Sequence, residues 1–224
     1  MTNFTLNRSK RKTVAIHISD GLVEVRAPNK MPLFEINRFV LSKEKWISDK
    51  LAGLSELTEK RSRFTLTYGD RISYRGKPYP ITQRYGNRIG FDETGFYMPP
   101  NLTAEQIKHA CVQIYRMLAR RDLTKKTLDY AKSIRVMPDA IKINSAKTRW
   151  GSCSAKKSVN YSWRLILADD DVIDYIVVHE LAHLVELNHS ESFWAIVEGI
   201  MPDYKARKAR LREFQKKLSV ESWD

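Results

Sequence analysis

An α+β fold is predicted for this 224-residue chain from three observations. Short alternating segments broken by glycine turns fill the first hundred residues. A capping-box sequence opens a long helix at Thr103, and a core helix beginning at Asp169 or Asp170 carries two histidines on one face. The break at Pro99-Pro100 divides the chain into a β-rich part with one helix, residues 1–100, and a second part, residues 101–224.

Thr13 to Ser19 and Leu22 to Ala27 alternate apolar and polar residues around Asp20-Gly21, which predicts a β-hairpin. Pro32 opens an amphipathic helix through Phe34, Ile36, Phe39, Val40, Trp46, Ile47 and Leu51, reaching about Lys60. From Phe64 to Met98, aromatic strands separated by Gly69-Asp70, Arg75-Gly76-Lys77-Pro78 and Gly86-Asn87 predict a meander. Thr103 with Gln106 caps a helix to about Lys132. Strand-like segments follow at Ile134 to Val136, Ala140 to Ser145, Thr148 to Ser152 and Val159 to Ala168. Three helices close the chain: one stopping near Leu187, one from about Ser190 to Ile200, and a basic one from Pro202 to near Leu218.

Residues 179–189, His-Glu-Leu-Ala-His-Leu-Val-Glu-Leu-Asn-His, hold three of the five histidines. His179 and His183 are four apart, so on a helix their imidazoles stack on one face and can share a cation. His189 supplies a third ligand if the chain turns first, with Asn188 as the expected left-handed corner and Ser190 as the next cap. Three protein ligands leave a fourth position for water or substrate, as a catalytic Zn2+ requires. Glu180, beside the first ligand, is the expected general base, taking a proton from a water that the cation acidifies. Glu186 and Glu198 are rival third ligands. The apolar flanks Val172, Ile173, Ile176, Val177, Leu181 and Leu184 make this a core helix, where charged groups need a reason to be present.

Residues 144–168 read as a hairpin just before that helix. An edge strand beside a metal can receive an extended peptide by strand addition, so Arg149, Trp150, Gly151 and Ser152 are candidate substrate-binding residues. The alternative makes Trp150 and Trp163 core aromatics and Gly151 a bulge. Cys153 reads as a small buried residue. Arg149, Tyr161, Tyr175 and Tyr204 are the candidate oxyanion donors.

Thr148-Arg149-Trp150-Gly151-Ser152-Cys153-Ser154, the Arg164-Leu165-Ile166 strand, Asp174 to His183, and His189-Ser190 with Phe193-Trp194 together resemble the YgjP-like metallopeptidase family, relatives of the SprT-like and WLM peptidases. Arg8 to Thr13 and Trp46-Ile47 extend the resemblance to nearly the whole chain. It implies a zincin domain of the minigluzincin type behind a β-rich N-terminal part, with Zn2+ on His179, His183 and His189 and Glu180 as base. Two positions depart from related patterns: Glu186 stands where metzincins have Gly, and Ser162 where the family is expected to have Asn.

Composition frames the partners. No segment has the length and apolarity of a membrane span, and the N-terminus lacks the apolar run of a signal peptide. Cys111 and Cys153 form no disulfide framework, so a cytoplasmic, reduced protein is expected. The net charge of +13 is concentrated in Arg8 to Lys12, in Arg116, Arg120, Arg121, Lys125 and Lys126, and in Lys205, Arg207, Lys208, Arg210 and Arg212. Such a surface attracts polyanions, and nucleic acid is a possible partner. Three functions follow: a zinc-dependent endopeptidase or aminopeptidase-like hydrolase acting on an extended peptide, a nucleic-acid-associated protease acting on DNA-bound proteins, and a metal-binding protein without turnover.

Overall fold

The computed structural model describes residues 2–223, and its contacts divide them into two compact units. The first, residues up to Phe64 with Ser219–Ser222, is built on a three-stranded sheet. Strands β2 (Ala15–Ser19) and β3 (Leu22–Pro28) form the expected antiparallel hairpin, and β1 (Thr5–Ser9), which the pattern did not predict, pairs parallel to β3. Alternation along β3 sends Val23, Val25 and Ala27 inward, where they meet Ile36 and Val40 of α1 (Leu33–Ser42) and Ile47 of α2 (Glu44–Ser62). The single helix expected over this stretch is two, because Lys43 leaves helical geometry at φ −111°, ψ 8°.

The second unit, Thr65–Leu218 with Trp223, holds the histidine motif. Its first sheet has the order β4-β5-β7-β6, from β4 (Arg71–Tyr74), β5 (Lys77–Gln83), β6 (Gly90–Asp92) and β7 (Gly95–Met98). A meander would pair neighbours only; here β5 runs parallel to β7, so the expected meander is corrected to a crossed arrangement. The β4–β5 turn places Arg75 (φ 50°) and Gly76 (φ 73°) in the left-handed region. A Cβ at Gly76 would overlap the Asp169 carboxylate, so this turn needs glycine on two counts.

Helix α3 (Ala104–Ile134) starts with the complete Thr103/Gln106 capping box and ends at Arg135, which is left-handed. Ile107, Cys111, Ile114 and Leu118 recur at helical spacing and form a buried stripe. The Ile134–Val136 segment is therefore a helix end and not a strand. A second sheet, order β8-β10-β9, follows: β8 (Ala140–Asn144), β9 (Gly151–Cys153) and β10 (Ser158–Ser162). Trp163–Leu167, read from sequence as strand, is a buried 3-10 turn in which Trp163 stacks on Tyr115. It leads into α4 (Asp170–Ala182), buried nearly all round and so the central helix, then α5 (Glu191–Ile200) and α6 (Tyr204–Leu218). Arg75 donates two 2.8 Å bonds to Asp170, and Lys126 reaches Asp170 at 3.2 Å and Asp174 at 2.6 Å. These pairs tie the β4–β5 turn and α3 to the first turn of α4, whose macrodipole favours acidic side chains. The Pro99-Pro100 break lies inside this unit, between β7 and α3.

Candidate metal centre and active site

Helix α4 ends at Ala182, a turn earlier than the expected Leu187. His183 is its C-cap, and a tight turn follows in which Leu184 and Val185 donate to the carbonyls of Leu181 and Ala182. Asn188 is not left-handed, so the corner before His189 is made by this turn and not by the asparagine. Ser190 then caps α5 as expected, accepting from the Phe193 amide at 3.3 Å.

That early stop brings three imidazoles together. Ligating nitrogens of His179, His183 and His189 lie within 4.8 Å of one another, and Nε2 of His189 is 3.1 Å from Nε2 of His179. Two nitrogens held about 2.0–2.1 Å from one tetrahedral ion sit about 3.3 Å apart, so the spacing suits a shared cation. The His183 Nδ1 lies 3.1 Å from the Glu186 carbonyl; donating there leaves Nε2 free as a ligand. Burial, with the neighbouring His183, His189 and Lys208, pushes His179 down to about 3, so it stays neutral, the state that ligates. Glu186 enters through its main-chain oxygen, and Glu198 is exposed on α5 and outside the histidine group.

Aromatic rings fix the two outer imidazoles. Phe193 packs 4.5 Å from His183, and Trp194 lies nearly parallel to His189 at 5.8 Å while stacking on Tyr204 at 5.2 Å. Both residues sit in the first turn of α5, which their places after the Ser190 cap made readable. Their contacts with the histidines depend on the fold of the intervening corner and were not readable.

Glu180 is 6% exposed, and burial raises its carboxyl to about 7 against the opposing charge of Arg149. Strand β9 covers it: a Cβ at Gly151 would lie 2.5 Å from Glu180 Oε1. Gly151 is thus an extended strand residue, paired with Tyr161, whose missing side chain makes room for Glu180. Strand β9 is also the sheet edge, so one side of its backbone faces away from β10. Ser152 pairs with Asn160, Trp150 packs on Phe214 of α6 at 5.1 Å, and Arg149 is exposed. Cys153 is half-buried, not fully buried as its type suggested. Of the oxyanion candidates, Tyr161 is fully buried and its hydroxyl accepts from Thr127, which occupies it in the core. Tyr175 is buried 5.9 Å from His179, and Tyr204 is held against Trp194.

Among the described residues, no helix is long and apolar enough to cross a membrane. The basic stretch of α6 is partly neutralised: Arg207 pairs with Asp203 and Asp171, and Arg210 with Asp171.

A family model described as YgjP-like, metallopeptidase domain, matches residues 12–214. No curated protein matches the chain. Among solved structures, the metallopeptidase zymogen abylysin of Pyrococcus abyssi is 22% identical, with a TM-score of 0.39 over 44% of this chain and 97% of its own. The metallopeptidase zymogen jannalysin of Methanocaldococcus jannaschii is 22% identical, with a TM-score of 0.38 over 42% of this chain and 96% of its own.

Proposed function

We propose, from the premise that the chain belongs to the YgjP-like metallopeptidase family, that it is a zinc-dependent peptidase of zincin type that hydrolyses extended peptides. The convergence of three imidazoles beside one buried glutamate carries this reading. His179, His183 and His189 would hold Zn2+, which when bound acidifies a water and polarises a carbonyl. Glu180 accepts the proton of the attacking water at its carboxylate and returns it to the leaving amine. Its burial under β9 keeps bulk water from competing for that proton. The open edge of β9 receives the peptide backbone by strand addition, with Arg149, Trp150, Gly151 and Ser152 along it, so recognition tolerates varied side chains. Residues 101–224 are the proposed peptidase portion and 1–100 the β-rich part before it. Two free thiols suit the cytoplasm, which is proposed as its location.

Glu180→Gln tests the mechanism, because the amide keeps the shape and cannot accept the proton. The variant should retain zinc and thermal stability and lose peptide cleavage by at least about 100-fold. Cleavage at the wild-type rate would remove Glu180 as the base.

A further inference from the structure

The cations of α6 divide by what they touch. Arg207 and Arg210 are engaged by Asp203 and Asp171. Lys208, between them, has its Nζ 4.9 Å from the centre of the Trp194 ring, and Trp194 lies 5.8 Å from His189 and 6.0 Å from His179. An aromatic face attracts an ammonium and restrains its stem, so Lys208 is held at the rim of the histidine cluster. On the edge-strand side, exposed Arg149 lies two residues before the start of β9, and its charge reaches the Glu180 carboxyl. Neither cation forms an ion pair with a carboxylate among the described residues.

Cations without an ion-pair partner beside a site for a divalent ion repel the ion. An incoming anionic group relieves that repulsion and is selected over a neutral or cationic one. We propose that this centre selects peptides with a carboxylate next to the scissile bond, received by Lys208 on its Trp194 platform, with Arg149 as a second cation at the edge strand. The proposal rests on the peptidase reading of the same site. An Asp or Glu side chain and a free chain terminus offer the same chemistry. Phosphodiesters would also be attracted, but Arg207 and Arg210 are already paired, which breaks the run of free charges that a nucleic-acid backbone would follow on α6.

The test uses the full-length, zinc-loaded Glu180→Gln protein and fluorescein-labelled octapeptides carrying Glu, Gln or Lys beside the central bond, each with a free or an amidated C-terminus. Anisotropy should show the Glu peptides binding about ten-fold tighter than the Gln peptides. Lys208→Met, which keeps an apolar stem against Trp194, should bring the two to parity. Lys208→Glu should reverse the order in favour of Lys, whereas Arg88→Glu, an equal change of charge elsewhere, should leave it unchanged. A Lys208-dependent preference for the free terminus alone would assign the carboxylate to the chain end. Equal binding of all peptides would overturn the proposal, as would Lys208 dependence seen only with a single-stranded oligonucleotide. Wild-type cleavage indifferent to peptide charge would overturn it and leave the peptidase reading standing. Lys208-dependent binding of acidic peptides with no cleavage of any peptide would uphold the selection and refute the peptidase reading.

Discussion

Replacing Gly151 by alanine should damage the chemical step while leaving the metal in place. The added Cβ would lie 2.5 Å from Glu180 Oε1, 2.6 Å from its Cγ and 2.7 Å from its Cδ. A carbon–oxygen contact settles near 3.3 Å or beyond, so the carboxylate must retreat by roughly 0.8 Å. Contact with Cγ and Cδ as well as Oε1 means that rotation of the carboxylate alone cannot restore the distance. Gly151 is not left-handed, so alanine fits its backbone and the effect is steric. A displacement of this order at a reacting group costs about 100-fold in rate, equivalent to about 2.7 kcal/mol of barrier. Steady-state cleavage of a peptide by the zinc-loaded variant should therefore show kcat down by about that factor, with KM nearly unchanged and zinc content equal to wild type. If Gly151 instead serves only to admit a substrate backbone, KM rises and kcat holds. A kcat within two-fold of wild type at full zinc loading would refute the steric argument.

His189→Ala should lose most bound zinc on dialysis, measured by metal analysis, whereas Glu198→Ala should keep it; the reverse pattern would transfer the third ligand to the glutamate. Burial opposes ionisation of Asp170, yet hydrogen bonds from Arg75 and Lys126 hold its carboxyl below the ordinary value of 3.8. A depressed folded pKa contributes stability that is fully present above the unfolded pKa and fades as pH falls through the folded one. Asp170→Asn should thus lower stability by about 1 kcal/mol at pH 7, a figure discounted for the partial exposure of the pair, with the deficit shrinking below pH 4 in denaturant titrations. A pH-independent deficit would point to packing instead. DNA or RNA binding, a second reading of the charge, should weaken steeply with salt, and replacing Lys205, Arg207, Lys208 and Arg210 together should flatten the slope by about one unit per lost phosphate contact. No binding at low salt would refute this reading of the α6 charge.

Local signals were the legible ones. The Thr103/Gln106 box and the Ser190 cap are contacts three residues apart, and both stand in the structure because nothing distant competes with them. The β2–β3 hairpin is equally local, set by Asp20-Gly21 and the alternation on either side. What escaped is non-local. Strand β1 is largely exposed and polar, so only its parallel pairing to β3 defines it. The β5–β7 pairing skips β6, which no periodicity reports. Trp163–Leu167 is apolar throughout, and a short buried run looks the same as strand or as a tight helical turn. The α1–α2 break at Lys43 occurs without proline or glycine to announce it.

The candidate site follows the same division. Spacing alone placed His179 and His183 on one face, since that needs only the helical repeat. Bringing His189 beside them needed a corner, and sequence assigned that corner to Asn188, the residue type most apt for it. The chain uses a different device: α4 ends at Ala182, the next turn carries Glu186 back to hold His183, and the rings of Phe193 and Trp194 take up the two outer imidazoles. An early helix stop is invisible in a run as apolar as Leu181-Ala182, because propensity favours continuing. Gly151 reads from sequence as a substrate-binding candidate or a bulge, and the residue that takes up the space beside it is Glu180, 29 positions away. Partners of that kind are set by how β9 lies on α4, so the groups able to do chemistry could be named from sequence while the groups that hold them in place could not.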